Sequence, residues 1–279
     1  MRALSKSLLG FFFLTFTASS WAACPEGMKS NYKGECEADC PRSISHVNKN
    51  PPFTGTLFVE KDIIRPSDPS TLVDIAYTGR GLRKMYDRRC SCWTNNNAFL
   101  FNANFKHKNG TIRAVEVQVN PEFGDAATAS VEAKKYSRAV GQIPFFLLHD
   151  VDSLWIHKGM NPFGGGNNNL LIHTDYGEDY IRRGILEEAF VHEAVHTSID
   201  PYHYSAEWRR AQSEDAAFIS NYARDHPNRE DHAETFPMWL AVMYRSDRIS
   251  QLVQRQITDT VPNRIDFYND QFIDLYPVR

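Results

Sequence analysis

Two observations predict an α+β fold. Period-two apolar alternation dominates the first part of the chain, and from about Ile181 it gives way to apolar residues spaced as on helices. Strand-like segments come first and helical ones last, which is the order of an α+β domain rather than of alternating βαβ units.

The first element is read as an export signal. Arg2 and Lys6 form a short basic start, residues 8–16 are almost continuously apolar, and Ser20 and Ala22 supply small residues for cleavage after Ala22. The apolar run is too short to span a bilayer. Removing residues 1–22 takes the formal charge from −3 to about −5. Lipidation of Cys24 is the rival reading, opposed by Trp21 where a lipobox calls for Leu.

Residues 23–54 are polar and rich in Cys, Pro and Asn, and are expected to form a small disulfide-tied N-terminal arm. The five cysteines are Cys24, Cys36, Cys40, Cys90 and Cys92. Closing a ring between residues two apart is costly, so Cys90 and Cys92 are expected to reach back to the arm. Two disulfides and one odd thiol are the expectation for an exported chain.

Residues 55–279 form the expected main domain. Within it, residues 97–105 and 111–119 alternate as strands around the turn signal Lys108-Asn109-Gly110. Residues 126–150 read as helix, and 153–156 and 170–173 as short strands flanking the loop Phe163-Gly164-Gly165-Gly166-Asn167. Helices are expected over 181–199, ended by Asp200-Pro201, then over 205–224 and 232–244. No Lys/Arg-rich patch marks a nucleic-acid binder, and no later run reaches membrane length.

The chemistry concentrates in residues 186–200, LEEAFVHEAVHTSID. His192 and His196 are four apart, so a helix places both imidazoles on one face, able to grip one zinc ion. Glu193 sits beside the first ligand, where a general base is needed to take a proton from water. Asp200 continues the stripe by a turn and Glu188 precedes it by one; both are candidates to orient an imidazole. A catalytic zinc needs a third protein ligand. The next cluster is Glu230-Asp231-His232-Ala233-Glu234, in which Glu234, Asp231 and His232 are the candidates.

The segment HEAVH, followed by Ser220-Asn221-Tyr222-Ala223-Arg224 and by Asp231-His232-Ala233-Glu234-Thr235-Phe236, resembles the glutamate-zincins. Its pattern is that of the anthrax lethal-factor catalytic domain and its bacterial relatives. The resemblance covers about a quarter of the chain. It implies a zincin-like metallopeptidase domain with His192, His196 and Glu234 on zinc, Glu193 as base and Tyr222 as the hydroxyl facing the oxyanion. Two departures stand out: residues 225–228 lengthen the Tyr-to-Glu gap, and Met238 stands where relatives often carry a second acid. Residues 79–174 also look like uncharacterised secreted proteins that share an FGGGNN–IHT signature.

The expectation is therefore a secreted zinc metalloendopeptidase acting on peptide or protein, in the extracellular space or the periplasm. The alternative is a secreted binding module with a structural or vestigial zinc. The strand after the glycine loop is the expected place for an extended peptide to add.

Overall fold

The computed structural model describes residues 28–30, 36–38 and 50–279. Two short strands, β1 (Met28–Ser30) and β2 (Cys36–Ala38), pair antiparallel as a unit of their own. The signal segment and the remainder of the expected N-terminal arm up to residue 49 lie outside the described residues.

The main body is built on a five-stranded mixed sheet in the order β3 (Leu72–Asp87), β4 (Cys92–Lys106), β5 (Ile112–Val119), β6 (Ser153–His157), β7 (Asn169–His173). The first three strands run antiparallel; β5, β6 and β7 run parallel. A helix, α1 (Ala126–Val140), makes the crossover between β5 and β6 and is capped by the Asp125 carboxylate, which accepts from Thr128 N at 2.8 Å. Residues 141–150, expected to continue it, form a turn and the short 3-10 helix Phe145–Leu148.

Alternation splits the sheet into two faces. Phe99, Phe101, Val115, Val117, Leu154, Ile156 and Ile172 point into one continuous core with the helices. Trp155, Leu171 and Leu100 point to the opposite face. There the far end of the β3–β4 hairpin curls over and seals a small second core with Met85. This hairpin carries Trp93 edge-on to Trp155 at 5.5 Å.

The expected helix over 181–199 is two helices, α2 (Thr174–Arg183) and α3 (Leu186–Ser198). Gly184 stops the first in a left-handed conformation at φ 69°, which glycine adopts without cost. The 205–224 helix is likewise two, α4 (Ala206–Glu214) and α5 (Asn221–Asp225). Then α6 (Asp231–Tyr244) crosses α3; almost all its side chains are buried. Two C-terminal helices, α7 (Gln251–Thr260) and α8 (Pro262–Asp270), close the core. No helix among the described residues is long and apolar enough to cross a membrane.

Cys90 and Cys92 bond to each other, with Cα atoms 5.2 Å apart, so the expectation that they reach back to the arm is corrected. The tight hairpin end, with Ser91 at φ 51°, brings the two side chains together locally.

Candidate metal centre

Helix α3 buries Leu186, Ala189, Phe190, Ala194 and Val195 in the core. The 3.6-residue period then leaves His192, Glu193 and His196 on the opposite side, lining an open cleft of about 890 Å³. The two imidazoles stand edge to face, centroids 4.9 Å apart.

Glu230, just before α6, reaches this pair. Its Oε2 lies 3.5 Å from His192 Nε2 and 3.1 Å from His196 Nε2. Donors held at about 2.0–2.1 Å from a tetrahedral zinc stand roughly 3.3 Å apart, so this spacing fits one ion. Glu230 Oε1 is committed elsewhere, accepting from Tyr222 Oη at 2.9 Å and Arg229 Nε at 2.8 Å. Its buried Oε2 has no hydrogen-bond partner among the described residues and faces the two imidazoles. Burial would raise the Glu230 pKa, but His192 and His196 carry it well below the usual carboxylate range. Burial would lower His196, yet Asp200 and Glu230 drive it up to about 10; His192 moves up against burial for the same reason, with Glu230 as its main partner.

Glu234, expected on the metal, is placed one turn further along α6, on the far side of His192. Its Oε1 is 3.6 Å from His192 Nδ1, while Oε2 accepts from Thr56 N at 2.8 Å and its carbonyl from Thr56 Oγ1 at 3.0 Å. It thus faces the ring nitrogen opposite the one that meets Glu230. Asp200 does the same for the other ring: His196 Nδ1 donates to its Oδ2 at 3.0 Å. His203 in turn donates from Nδ1 to the Asp200 carbonyl at 3.0 Å.

Other candidates point elsewhere. Glu188 turns away from His192 and accepts from Ile64 N at 2.9 Å. Asp231 accepts from Arg264 Nε at 3.0 Å and Gln212 Nε2 at 2.8 Å. His232 stacks on Trp208 at 3.6 Å and meets Tyr268 Oη through Nδ1 at 2.7 Å. Neither Asp231 nor His232 joins the histidine pair.

Glu193 opens onto the cleft with no hydrogen bond or ion pair to its carboxylate among the described residues. Tyr222, 39% exposed, lines the same cleft. The glycine loop forms the opposing wall. A Cβ on Gly165 would fall 1.9 Å from the Glu193 carbonyl, so only glycine lets the loop touch α3 there. Gly166 N donates to Thr197 Oγ1 at 2.9 Å, a second tie to α3. Gly164 exchanges hydrogen bonds with Leu171 at 3.0 and 2.7 Å. The outer edge of β7, expected to take a peptide, is therefore covered at Leu171 by Gly164. Alternation turns the backbone of Phe163 and Gly165 away from β7.

Sequence reasoning missed Glu230. Glu230 carries the same helical spacing to Glu234 as the two histidines have to one another, a signal that two acids one turn apart deserve equal weight. Comparison with family models, curated proteins and solved structures returns no match.

Proposed function

We propose that this chain is an exported zinc-dependent hydrolase, a metalloendopeptidase, with zinc held by His192, His196 and Glu230. The carrying observation is the convergence of three donor atoms, one each from His192, His196 and Glu230, within 4.8 Å of one another in the lining of an open cleft. Three protein donors with one open side suit catalysis; a structural zinc takes four. Zinc held there supplies the Lewis acidity that polarises a peptide carbonyl and acidifies water.

The chain's own residues do the rest. Glu193 takes a proton from the attacking water and returns it to the leaving nitrogen. Asp200 and Glu234 fix the two rings from behind, which favours the tautomer with its lone pair on Nε2. Tyr222, whose hydroxyl donates to Glu230 in the resting site, would turn that single O–H to the developing oxyanion. The outward backbone of Phe163 and Gly165 offers a peptide an edge to lie along.

Moving the third ligand back one turn, from Glu234 to Glu230, also strengthens the likeness to the glutamate-zincins. The Tyr-to-ligand gap shortens by four residues, and Glu234 itself supplies the second acid that Met238 lacks. The zincin-like assignment is part of this proposal, as are secretion and the peptide substrate.

The test is Glu193→Gln in zinc-loaded protein assayed on a broad peptide mixture. Zinc should stay stoichiometric while turnover falls by at least about 10²–10⁴-fold, because an amide takes no proton from water. Wild-type turnover in this variant would defeat the hydrolase reading and leave a binding module with zinc.

A further inference from the structure

Arg88 and Arg89 are consecutive at the end of the β3–β4 hairpin and have opposite surroundings. Arg89 is neutralised: its Nη2 meets Asp87 Oδ2 at 2.7 Å and its Nη1 meets Glu122 Oε2 at 2.6 Å. Arg88 has no hydrogen bond or ion pair from its guanidinium among the described residues. It lines the cleft beside the metal centre and also an adjoining cavity of about 250 Å³ that contains Trp93, Trp155 and Asn169.

Its position is built rather than incidental. Arg89 N and Nε bond Asp87 Oδ1 at 2.9 and 3.0 Å, Cys90 and Cys92 close the turn, and Ser91 N donates to the Arg88 carbonyl at 3.3 Å. The guanidinium lies against the backbone of Gly164: a Cβ there would stand 2.8 Å from Nη2. The next residue, Gly165, touches the Glu193 carbonyl, so the free cation stands one loop residue from the helix that carries the base. The cleft's other guanidinium, Arg229, is taken up by Glu230 and by the Tyr222 hydroxyl.

A partly buried guanidinium without a counter-ion is a binding site for an anion that a ligand brings. Glu193, Glu230, Glu234, Asp200 and Asp225 also line the cleft, which opposes a dianion such as phosphate more strongly than a single negative charge. We propose that Arg88 anchors a carboxylate of the substrate, so that the enzyme selects peptides by an acidic side chain or by a free C-terminus near the cleaved bond. This rests on the hydrolase reading of the same cleft and names its substrate class.

The experiment uses internally quenched peptides with Glu or Gln placed at each position in turn, each made as free acid and as C-terminal amide. In zinc-loaded protein one carboxylate should raise kcat/KM by about 10–100-fold, the worth of a hydrogen-bonded charge. A gain from one Glu position identifies a side chain; a gain of free acid over amide identifies the terminus. Arg88→Gln should bring the ratio close to one, Arg88→Lys should keep part of it, and Arg88→Glu should invert it in favour of the uncharged peptide. The absence of any carboxylate preference in the wild type, or its survival in Arg88→Gln, overturns the proposal. If zinc-loaded protein cleaves none of the peptides, the hydrolase reading fails instead. Anisotropy of the same peptides, labelled, on wild type and Arg88→Gln then decides the anchor alone. Weaker binding of the acidic peptide to the variant supports it, and equal binding overturns it.

Discussion

Glu230 and Asp231 are neighbours in sequence, both are buried, and they face opposite electrostatic worlds. Asp231 belongs to a closed cluster: Arg264, wholly buried, reaches Asp231 at 3.0 Å and Asp215 at 3.1 Å, and Gln212 supplies a further donor. Burial raises the Asp215 pKa, with Arg264 as the main force opposing that rise. Glu230 faces two imidazoles, one hydrogen-bonded to Asp200 and the other 3.6 Å from Glu234, and among the described residues no Lys or Arg is paired with its Oε2. One cluster carries its cation in the chain. The other is an arrangement of lone pairs that is complete only with protons or a metal ion. A third setting sharpens the contrast. Glu188, also buried, forms no ion pair with a cation or an imidazole among the described residues, and burial pushes its pKa up to about 8, despite hydrogen bonds from the Ile64 and Ile63 backbone. It meets burial by keeping its proton.

The largest expected effect comes from removing the internal cation. Arg264→Met leaves Asp215 and Asp231 buried together without compensation and should cost about 3–5 kcal/mol of stability in denaturant melts. Zinc stoichiometry per folded molecule should not change. A variant as stable as the wild type would break the distinction between the clusters.

The next effect separates the two acids of α6. Glu230→Ala should abolish stoichiometric zinc. Glu234→Ala should keep the ion and weaken its affinity by about 10–100-fold, as expected for a residue that orients a ligand. Competition with a calibrated zinc indicator measures both. The reverse ranking would return the third-ligand role to Glu234.

The smallest effect tests the protonated carboxyl. The Glu188 pKa is higher in the fold than the ordinary 4.5, so the stability that its protonated form contributes is complete below that value and lost as pH rises through about 8. Glu188→Gln mimics the neutral form. It should melt like the wild type near about pH 5 and several degrees higher near about pH 9. A melting difference that does not vary with pH would remove Glu188 from the comparison.

The histidine pair was legible because helical period alone decides which side chains share a face. The proposed third ligand was not. Glu230 and Glu234 sit one turn apart, and the choice between them depends on how far α6 slides along α3 and on Thr56, 178 positions away, capturing Glu234. The strands over 97–105 and 111–119 were readable from alternation and from Asn109-Gly110. The division of 181–199 into two helices had its signal in Gly184, a C-cap glycine inside an otherwise helical run. Arg88 had none. Two adjacent arginines look alike in sequence, and only the curl of the hairpin over the sheet gives one to Asp87 and the other to the cleft. The Cys90–Cys92 bond was misread because ring closure was weighed without the tight turn that brings the two side chains together.

The strand-like segment before the sheet has a bearing on where this protein can be cut. Phe53 and Thr54 accept backbone hydrogen bonds from Asn221 and Tyr222 at 2.9 and 3.1 Å, and Thr56 binds Glu234 twice. Four hydrogen bonds thus splice the entrance of the domain to α5 and α6, the helices that carry Tyr222 and Glu234. A protease acting between Asn50 and Thr56 would remove none of the side chains proposed for the site. It would nevertheless cut the ties that hold α5 and α6 to this segment, so a nick here should weaken the proposed site while its own residues all remain intact.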